Sequence, residues 1–583
     1  MKKLVSRFMA VLMAMAMVLS MSMTAFAAEA PKGTLTVNNT VAGKTLDLYQ
    51  IFTATKSGEN VAYTLNSAYE GFFQSKIADA SALTGEALSE KAYAYVNEQV
   101  GTNGDAETAK TFAKDMLGWI LDSKNNITAT KTVETTASST QISDLAYGYY
   151  LVYPKGATDT STAPGNQTYT SAASLVSITA EAATINMKSN YPTVDKKIIP
   201  AQSGSGITVG AIVDGSWEGN HQMELDDEND PEDTIAPHGA ADEKKAGDFG
   251  IGDTITYQLT SKVPDMTGYN SYTFKFSDTL SKGLDLKEVL SVKVGNTTLK
   301  AGKTGTNTYA LTYDETSRNL TVTLNDFYNS YKDREGETIT VVYTATLNKD
   351  AVIGMNPNTN KAVVEYSNDP KSDGTGTSEP SIVKVNTFDF TIFKYYLKDQ
   401  NNQNNKTALA GAEFELYKAN TAGEAADPNG KINIVDETNG VYRQATPEEA
   451  SAAGFTSAKI VSDDDGKVLV KGLKSGTYYL KETKAPDGYN KLLSDIKIEI
   501  TARYNEATGE LESYSVIYTY NGKPVTVTNN DQATSPEVPV ENKTGVQLPS
   551  TGSKGALMVT LAGIVLFGVL TASKAFGKKK AKN

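Results

Sequence analysis

The chain has 583 residues, a net charge of −13, no cysteine and two histidines. The acidic balance argues against nucleic acid as a partner. Two His and no Cys give no ligand set for a catalytic zinc centre, and roughly three domains of about 100–200 residues fit the length once the two end segments are set aside.

Lys2, Lys3 and Arg7 form a basic start, residues 8–19 are apolar, and Ala25-Phe26-Ala27 supplies small residues where a signal peptidase would read them. Residues 1–27 are therefore expected to be a signal peptide, and the mature chain to be secreted. Exported proteins commonly rely on disulfides. This chain has none, so another form of reinforcement is expected.

Residues 31–190 read as a first domain with strands at 34–37, 45–52 and 149–153 and amphipathic helices at 87–100 and 106–121. Residues 191–384 are dominated by alternating runs, at 254–259, 272–276, 320–324, 338–345 and 362–366. They also hold an acidic insert at 224–243, which contains His238; His221 lies just before it. Residues 385–530 repeat the theme with strands at 389–394, 413–417, 468–470, 477–482 and 524–529. Many short strands with Gly-rich turns predict a mainly β chain of tandem Ig-like β-sandwiches, the first carrying added helices. The Asp226–Asp230 run offers oxygen ligands, but not at EF-hand spacing, so a solvated loop is preferred to calcium and no metal or cofactor is assigned. Residues 531–547 are polar and Pro-bearing, and are expected to be an extended spacer. Leu548-Pro549-Ser550-Thr551-Gly552 follows, then a 19-residue apolar run at 555–573, then Lys574 and Lys578 to Lys580. The run is close to the ~20 residues that cross a bilayer, and the lysines suit a cytoplasmic end.

Strand alternation sends every second side chain to one face. It places Lys394 with Phe390 and Ile392, Glu482 with Tyr478 and Leu480, and Asn529 with Val525 and Val527. In the second domain it places Lys196 with Val194 and Ile198, Asp253 with Ile255 and Tyr257, and Asn368 with Val364 and Tyr366. Lys197 is a one-residue alternative to Lys196, and Asn360 or Asn530 could serve if the register differs. A Lys, an acid and an Asn thus occur twice on core faces, where an unpaired charge is costly. A desolvated lysine loses its proton readily, and a buried carboxyl can stay protonated and polarise an amide carbonyl. Held together, the three can form a Lys–Asn isopeptide bond with loss of ammonia, fixed geometry supplying the effective concentration. The competing reading is a buried salt bridge beside a hydrogen-bonded Asn.

The pentapeptide, apolar run and basic stop resemble the sorting signal of Gram-positive surface proteins. Leu480-Lys481-Glu482-Thr483-Lys484-Ala485-Pro486-Asp487-Gly488-Tyr489 resembles the E-box of Gram-positive pilins and CNA-B-type domains, and Tyr150-Leu151-Val152-Tyr153-Pro154-Lys155 resembles the pilin motif of backbone subunits. On these motifs the chain is similar to sortase-assembled, SpaA-like major pilins. The resemblance implies that a pilin-specific sortase cuts between Thr551 and Gly552 and joins Thr551 to Lys155 of an identical subunit. It implies a covalent fimbrium on the cell wall, with a housekeeping sortase, peptidoglycan and accessory tip and base pilins as further partners. It makes Glu482 the acid for Lys394 and Asn529, and Asp253 the acid for Lys196 and Asn368. In the first domain Asn38 and Asn39 stand where a strand lysine would follow Val37, so no bond is expected there. A monomeric wall-anchored adhesin is the alternative. A wall-anchored enzyme is disfavoured, since Asp253 and Glu482 fall in different domains rather than as a carboxylate pair.

Overall fold

The structure is a computed structural model that describes residues 31–101, 106–158, 172–187, 191–202, 205–218, 245–505, 508–520 and 522–544. The expected signal peptide, acidic insert, sorting signal and 555–573 span lie outside the described residues. Among the described residues no helix is long and apolar enough to cross a membrane. The chain divides into two units. One holds residues up to Val352, Asn356–Asn386 and Tyr504–Leu511; the other holds Ile353–Met355, Thr387–Arg503 and residues from Glu512 on.

The first unit begins with a helix-bearing sandwich. Thr45–Ser57 pairs with Asn60–Leu65, Lys131–Glu134 and Gly148–Pro154, and Gly148–Pro154 pairs onward with Ser174–Ile178. Alternation gives this sheet two buried faces. Leu46, Leu48, Tyr150 and Val152 pack on Leu35, Val37 and Ile142. Those three belong to a second sheet, in which Lys32–Asn38 lies between Ser139–Ala146 and Ala182–Asn186. Tyr49, Ile51, Leu151 and Tyr153 pack the other way. They meet the helices Glu70–Lys76, Gly85–Val100 and Ala106–Leu121 through Phe72, Leu88, Ala92, Phe112, Met116 and Ile120. The four-residue spacing of 88 and 92, and of 112, 116 and 120, is the stripe that seats a helix on a sheet. Burial on both faces explains why residues 149–153 are apolar throughout.

The same unit continues with a two-sheet sandwich. One sheet runs Ile207–Thr208, Leu284–Val294, Thr338–Leu347, Thr254–Lys262 and Asp195–Ile199. The other includes Ser381–Asn386, Asn358–Ser367, Phe274–Leu280, Asn319–Leu324 and Thr308–Asp314. Ile255, Tyr257 and Leu259 from the first sheet and Phe274, Phe276, Ala362, Val364 and Tyr366 from the second are buried. Each set alternates along its strand, as a sheet with an inward face requires.

In the second unit Phe388–Leu397 pairs antiparallel with Lys467–Leu473 and parallel with Glu537–Glu541. Glu413–Ala419 pairs with Gly476–Lys484, which pairs with Ile496–Tyr504. The strand Glu537–Glu541 corrects the spacer expected at 531–547. Val538 and Val540 are buried, with Glu537, Pro539 and Glu541 half-buried between them. Among the described residues this strand pairs only with Phe388–Leu397, so Pro539 removes no hydrogen bond that a second neighbour would need.

Candidate functional site

Two buried clusters and one half-exposed lysine carry the chemistry. In the sandwich of the first unit, Lys196 comes from Asp195–Ile199 and is fully buried. Its Nζ contacts Asp278 Oδ2 and the Tyr343 hydroxyl, and stands 4.9 Å from the ring centroids of both Tyr257 and Tyr343. The Tyr343 hydroxyl donates to Asp278 Oδ2 at 2.8 Å and accepts from Asn360 Nδ2 at 2.6 Å. Lys196 and Tyr343 come from one sheet, Asp278 and Asn360 from the other. Asp278 Oδ1 and Asn360 Oδ1 are buried with no hydrogen-bond partner among the described residues.

In the second unit Lys394 Nζ lies 2.9 Å from Glu482 Oε1, both side chains fully buried. Glu482 Oε2 accepts from Leu492 N at 2.7 Å and from Asn542 Nδ2 at 3.1 Å. Asn542 follows the strand Glu537–Glu541 and is itself buried; its Nδ2 also donates to Asn490 O at 2.8 Å. Its Oδ1 has no hydrogen-bond partner among the described residues. Lys394 registers with Val540, so Asn542 is two residues along on the same face.

Burial is the largest influence on both lysines and lowers each to about 8, with the neighbouring carboxylate partly offsetting it. At neutral pH about one such amine in ten is neutral, against about one in three thousand for an ordinary lysine. Each cluster therefore holds an available nucleophile, a carboxyl group and a carboxamide whose carbonyl oxygen is unengaged. That set can form an amide and release ammonia.

The expected lysines and Glu482 are in these clusters; three other expected residues are not. Asp253 precedes its strand and accepts from Gly250 N at 3.0 Å, closing a turn. Asp278 stands with Lys196 instead, because strand Phe274–Leu280 runs four residues past 276 and turns Asp278 inward with Phe274 and Phe276. Asn368 lies beyond the end of Asn358–Ser367 and donates to Thr375 O at 3.0 Å across a loop. Asn360, the register alternative, is the residue turned inward. Lys197 points outward and pairs with Asp195 at 3.3 Å. Asn529 is buried but closes a turn: its Oδ1 accepts from Thr534 Oγ1 at 2.7 Å and its Nδ2 donates to Thr534 O at 2.8 Å. Asn530 is exposed. The same alternation rule reaches Asn542 through Val538 and Val540, a run hidden by its prolines. Tyr343 has no sequence signal beyond its place on an inward face.

The two asparagines make a direct test. Asn542→Ala should leave residues 394 and 542 in separate linear peptides, whereas Asn529→Ala should keep them joined and cost only about 1–3 kcal/mol for the broken turn. The unjoined Asn542→Ala chain should also gain stability as pH rises. Lys394 titrates near 8 when folded and near 10.5 when unfolded. Between those values the unfolded chain binds more protons, so stability climbs with pH across that window. Denaturant melts at several pH values read this slope; a flat profile would remove the buried lysine as its source.

Lys155 follows the strand Gly148–Pro154 in a turn, its backbone N–H donating to Thr45 O at 2.8 Å. Its side chain is 27% exposed and its Nζ lies 3.4 Å from Asp47 Oδ2 and 3.2 Å from Asp369 Oδ2. Partial burial pulls its pKa down, but Asp47 and Asp369 together outweigh this and the net shift is upward. Gly156 adopts φ +74°, and a Cβ there would stand 2.8 Å from Asn368 Cα. Only glycine allows both the left-handed turn and this approach.

Residues 251–370 match the model of the Gram-positive pilin backbone subunit 2, Cna-B-like domain, and residues 397–514 match that of the SpaA prealbumin-like fold domain. The first stretch contains Asp278, Tyr343 and Asn360; the second contains Glu482. The trypsin-resistant surface T6 protein of Streptococcus pyogenes is 25% identical over 315 residues, 50% of this chain and 50% of its own length. Fimbrial subunit type 2 of Actinomyces naeslundii is 25% identical over 350 residues, 57% of this chain and 58% of its own. The chain thus spans about half the length of the curated relatives it matches. The solved T6 backbone pilin of S. pyogenes, described as a modular three-domain structure, aligns over 89% of this chain and 100% of its own at a TM-score of 0.42 and 16% identity. The chain thus carries, in order, a stretch matching a Gram-positive pilin backbone-subunit, Cna-B-like domain and one matching a SpaA prealbumin-like fold domain.

Proposed function

We propose that this protein is the shaft subunit of a covalent surface pilus, hardened by two internal Lys–Asn amides and joined end to end by sortase. The observation that carries the reading is a buried Lys–acid–Asn set in each of two modules, one matching a pilin backbone-subunit domain and the other a SpaA prealbumin-like domain. In this reading Lys196–Asn360 and Lys394–Asn542 become bonds, with Asp278 and Glu482 as their acids. The first bond ties the two sheets of a sandwich, and the second ties the first strand of a module to its last. Both replace the missing disulfides without redox chemistry. Lys155 accepts Thr551 of the next subunit, and the subunit at the base reaches peptidoglycan through its own Thr551 or through an accessory pilin. The only chemistry the chain performs on itself is amide formation; polymerisation is the work of the sortases.

Denaturing gels of surface extracts test the polymer. A ladder of covalent multimers is the expected result. A single band at monomer size would replace this reading with the monomeric wall-anchored adhesin.

A further inference from the structure

The two clusters differ in how the acid reaches the two nitrogens that exchange. Amide formation must remove one proton from the lysine Nζ and deliver one to the asparagine Nδ2, so that ammonia leaves. In the second unit Glu482 touches both nitrogens itself, with Oε1 on Lys394 Nζ and Oε2 on Asn542 Nδ2. In the first unit the acid is Asp278, one methylene shorter. It reaches Lys196 Nζ, but the side-chain nitrogen of Asn360 donates to the Tyr343 hydroxyl instead. That hydroxyl also contacts Lys196 Nζ and Asp278 Oδ2. Among the described residues it is the one oxygen in contact with both reacting nitrogens and the acid.

We propose that Tyr343 is a catalytic residue of the Lys196–Asn360 cross-link, relaying the proton from Asp278 to the departing nitrogen of Asn360. The inference rests on the reading of Lys196 and Asn360 as a self-forming amide.

Neutral Nζ adds to Asn360 Cγ, and its excess proton passes to Asp278 Oδ2. Nδ2, now tetrahedral with a free lone pair, accepts the Tyr343 hydroxyl proton while the phenol oxygen takes the proton held by Asp278. The Cγ–Nδ2 bond breaks, ammonia leaves, and Asp278 and Tyr343 return to their starting states with no co-reactant consumed. The phenol is suited to relaying rather than ionising, because burial and the adjacent Asp278 charge hold its pKa well above the usual tyrosine value. The ring is fixed by stacking on Tyr257, centroids 5.3 Å apart, so its oxygen stays in place as the amine moves.

Removing the hydroxyl should slow only this bond. In the full chain, made in a host without sortase, Tyr343→Phe should form the Lys196–Asn360 branched peptide about a hundredfold more slowly, the scale of one acid–base group. The Lys394–Asn542 peptide in the same molecules should form as in wild type and serves as the internal control. Asp278→Glu placed on Tyr343→Phe should restore the bond, since the longer acid then reaches Nδ2 as Glu482 does. A structural role for the hydroxyl would not be rescued by lengthening the acid. Wild-type formation in Tyr343→Phe, or a failed rescue in a chain that still melts cooperatively, overturns the relay. Linear Lys196 and Asn360 peptides in the wild type overturn the cross-link reading itself, whatever Tyr343 does.

Discussion

Glu482→Gln protein should retain the ammonia that wild type loses and unfold at much lower denaturant. Gln keeps an oxygen to accept from Leu492 N and Asn542 Nδ2, the bonds Glu482 Oε2 makes now. The module should therefore still fold, and what is lost is the carboxyl that moves the proton. The absent bond would have closed a loop of about 150 residues between Lys394 and Asn542, and loop-closure entropy for that length is worth about 5 kcal/mol by the chain-entropy model. Domains are commonly stable by only about 5–15 kcal/mol in total, so the loss is a large share. Asp278→Asn should do the same in the first unit, and because the two clusters belong to different units the double variant should regain two ammonias with nearly additive destabilisation. Intact mass and denaturant midpoints measure both effects. A Glu482→Gln chain that still loses its ammonia would show that no carboxyl is needed there and would defeat the assigned mechanism.

The sequence made the lysines legible because the alternation leading up to each is regular. Lys394 continues the buried face of Phe390 and Ile392 in a ten-residue strand, and Lys196 lies between buried Val194 and Ile198 on one face. The β architecture was readable from the same alternation, and the helices of the first sandwich from apolar residues four apart. The asparagines and one acid were harder because they sit where strands begin or end, and end positions depend on turns that periodicity does not fix. Asn368 and Asn360 share one face of one run, and only the loop that starts after Ser367 decides between them. Asn542 was masked by composition: Pro536 and Pro539 suggest a spacer, yet an edge strand tolerates proline. Tyr343 was invisible for a different reason. Its role comes from meeting Lys196, Asp278 and Asn360 across two sheets, a convergence that no local pattern encodes.

Lys155→Arg should erase the covalent ladder as fully as Lys155→Ala. Arginine keeps a cation between Asp47 and Asp369, so the turn and its ion pairs survive, but a guanidinium stays protonated and cannot attack an acyl group. Both variants should still lose two ammonias, separating subunit joining from internal cross-linking. A ladder persisting in Lys155→Arg would move the acceptor to another lysine. The carboxylates sharpen the expectation. Asp47 and Asp369 hold the Lys155 amine charged, and a charged amine is not a nucleophile. In the proposed reading, this arrangement would hold the acceptor inactive until docking of a sortase drew it away from one carboxylate or both. Asp369→Asn removes one of them and lowers the pKa of Lys155, which raises its neutral fraction at any pH below that pKa. The ladder should then extend faster at neutral pH, with the gain shrinking as pH rises and the wild-type amine deprotonates unaided. A slower ladder in Asp369→Asn would assign the carboxylate the opposite duty, aiming the amine at the acyl-enzyme, and the pH profile separates the two because an aiming role would not fade at high pH.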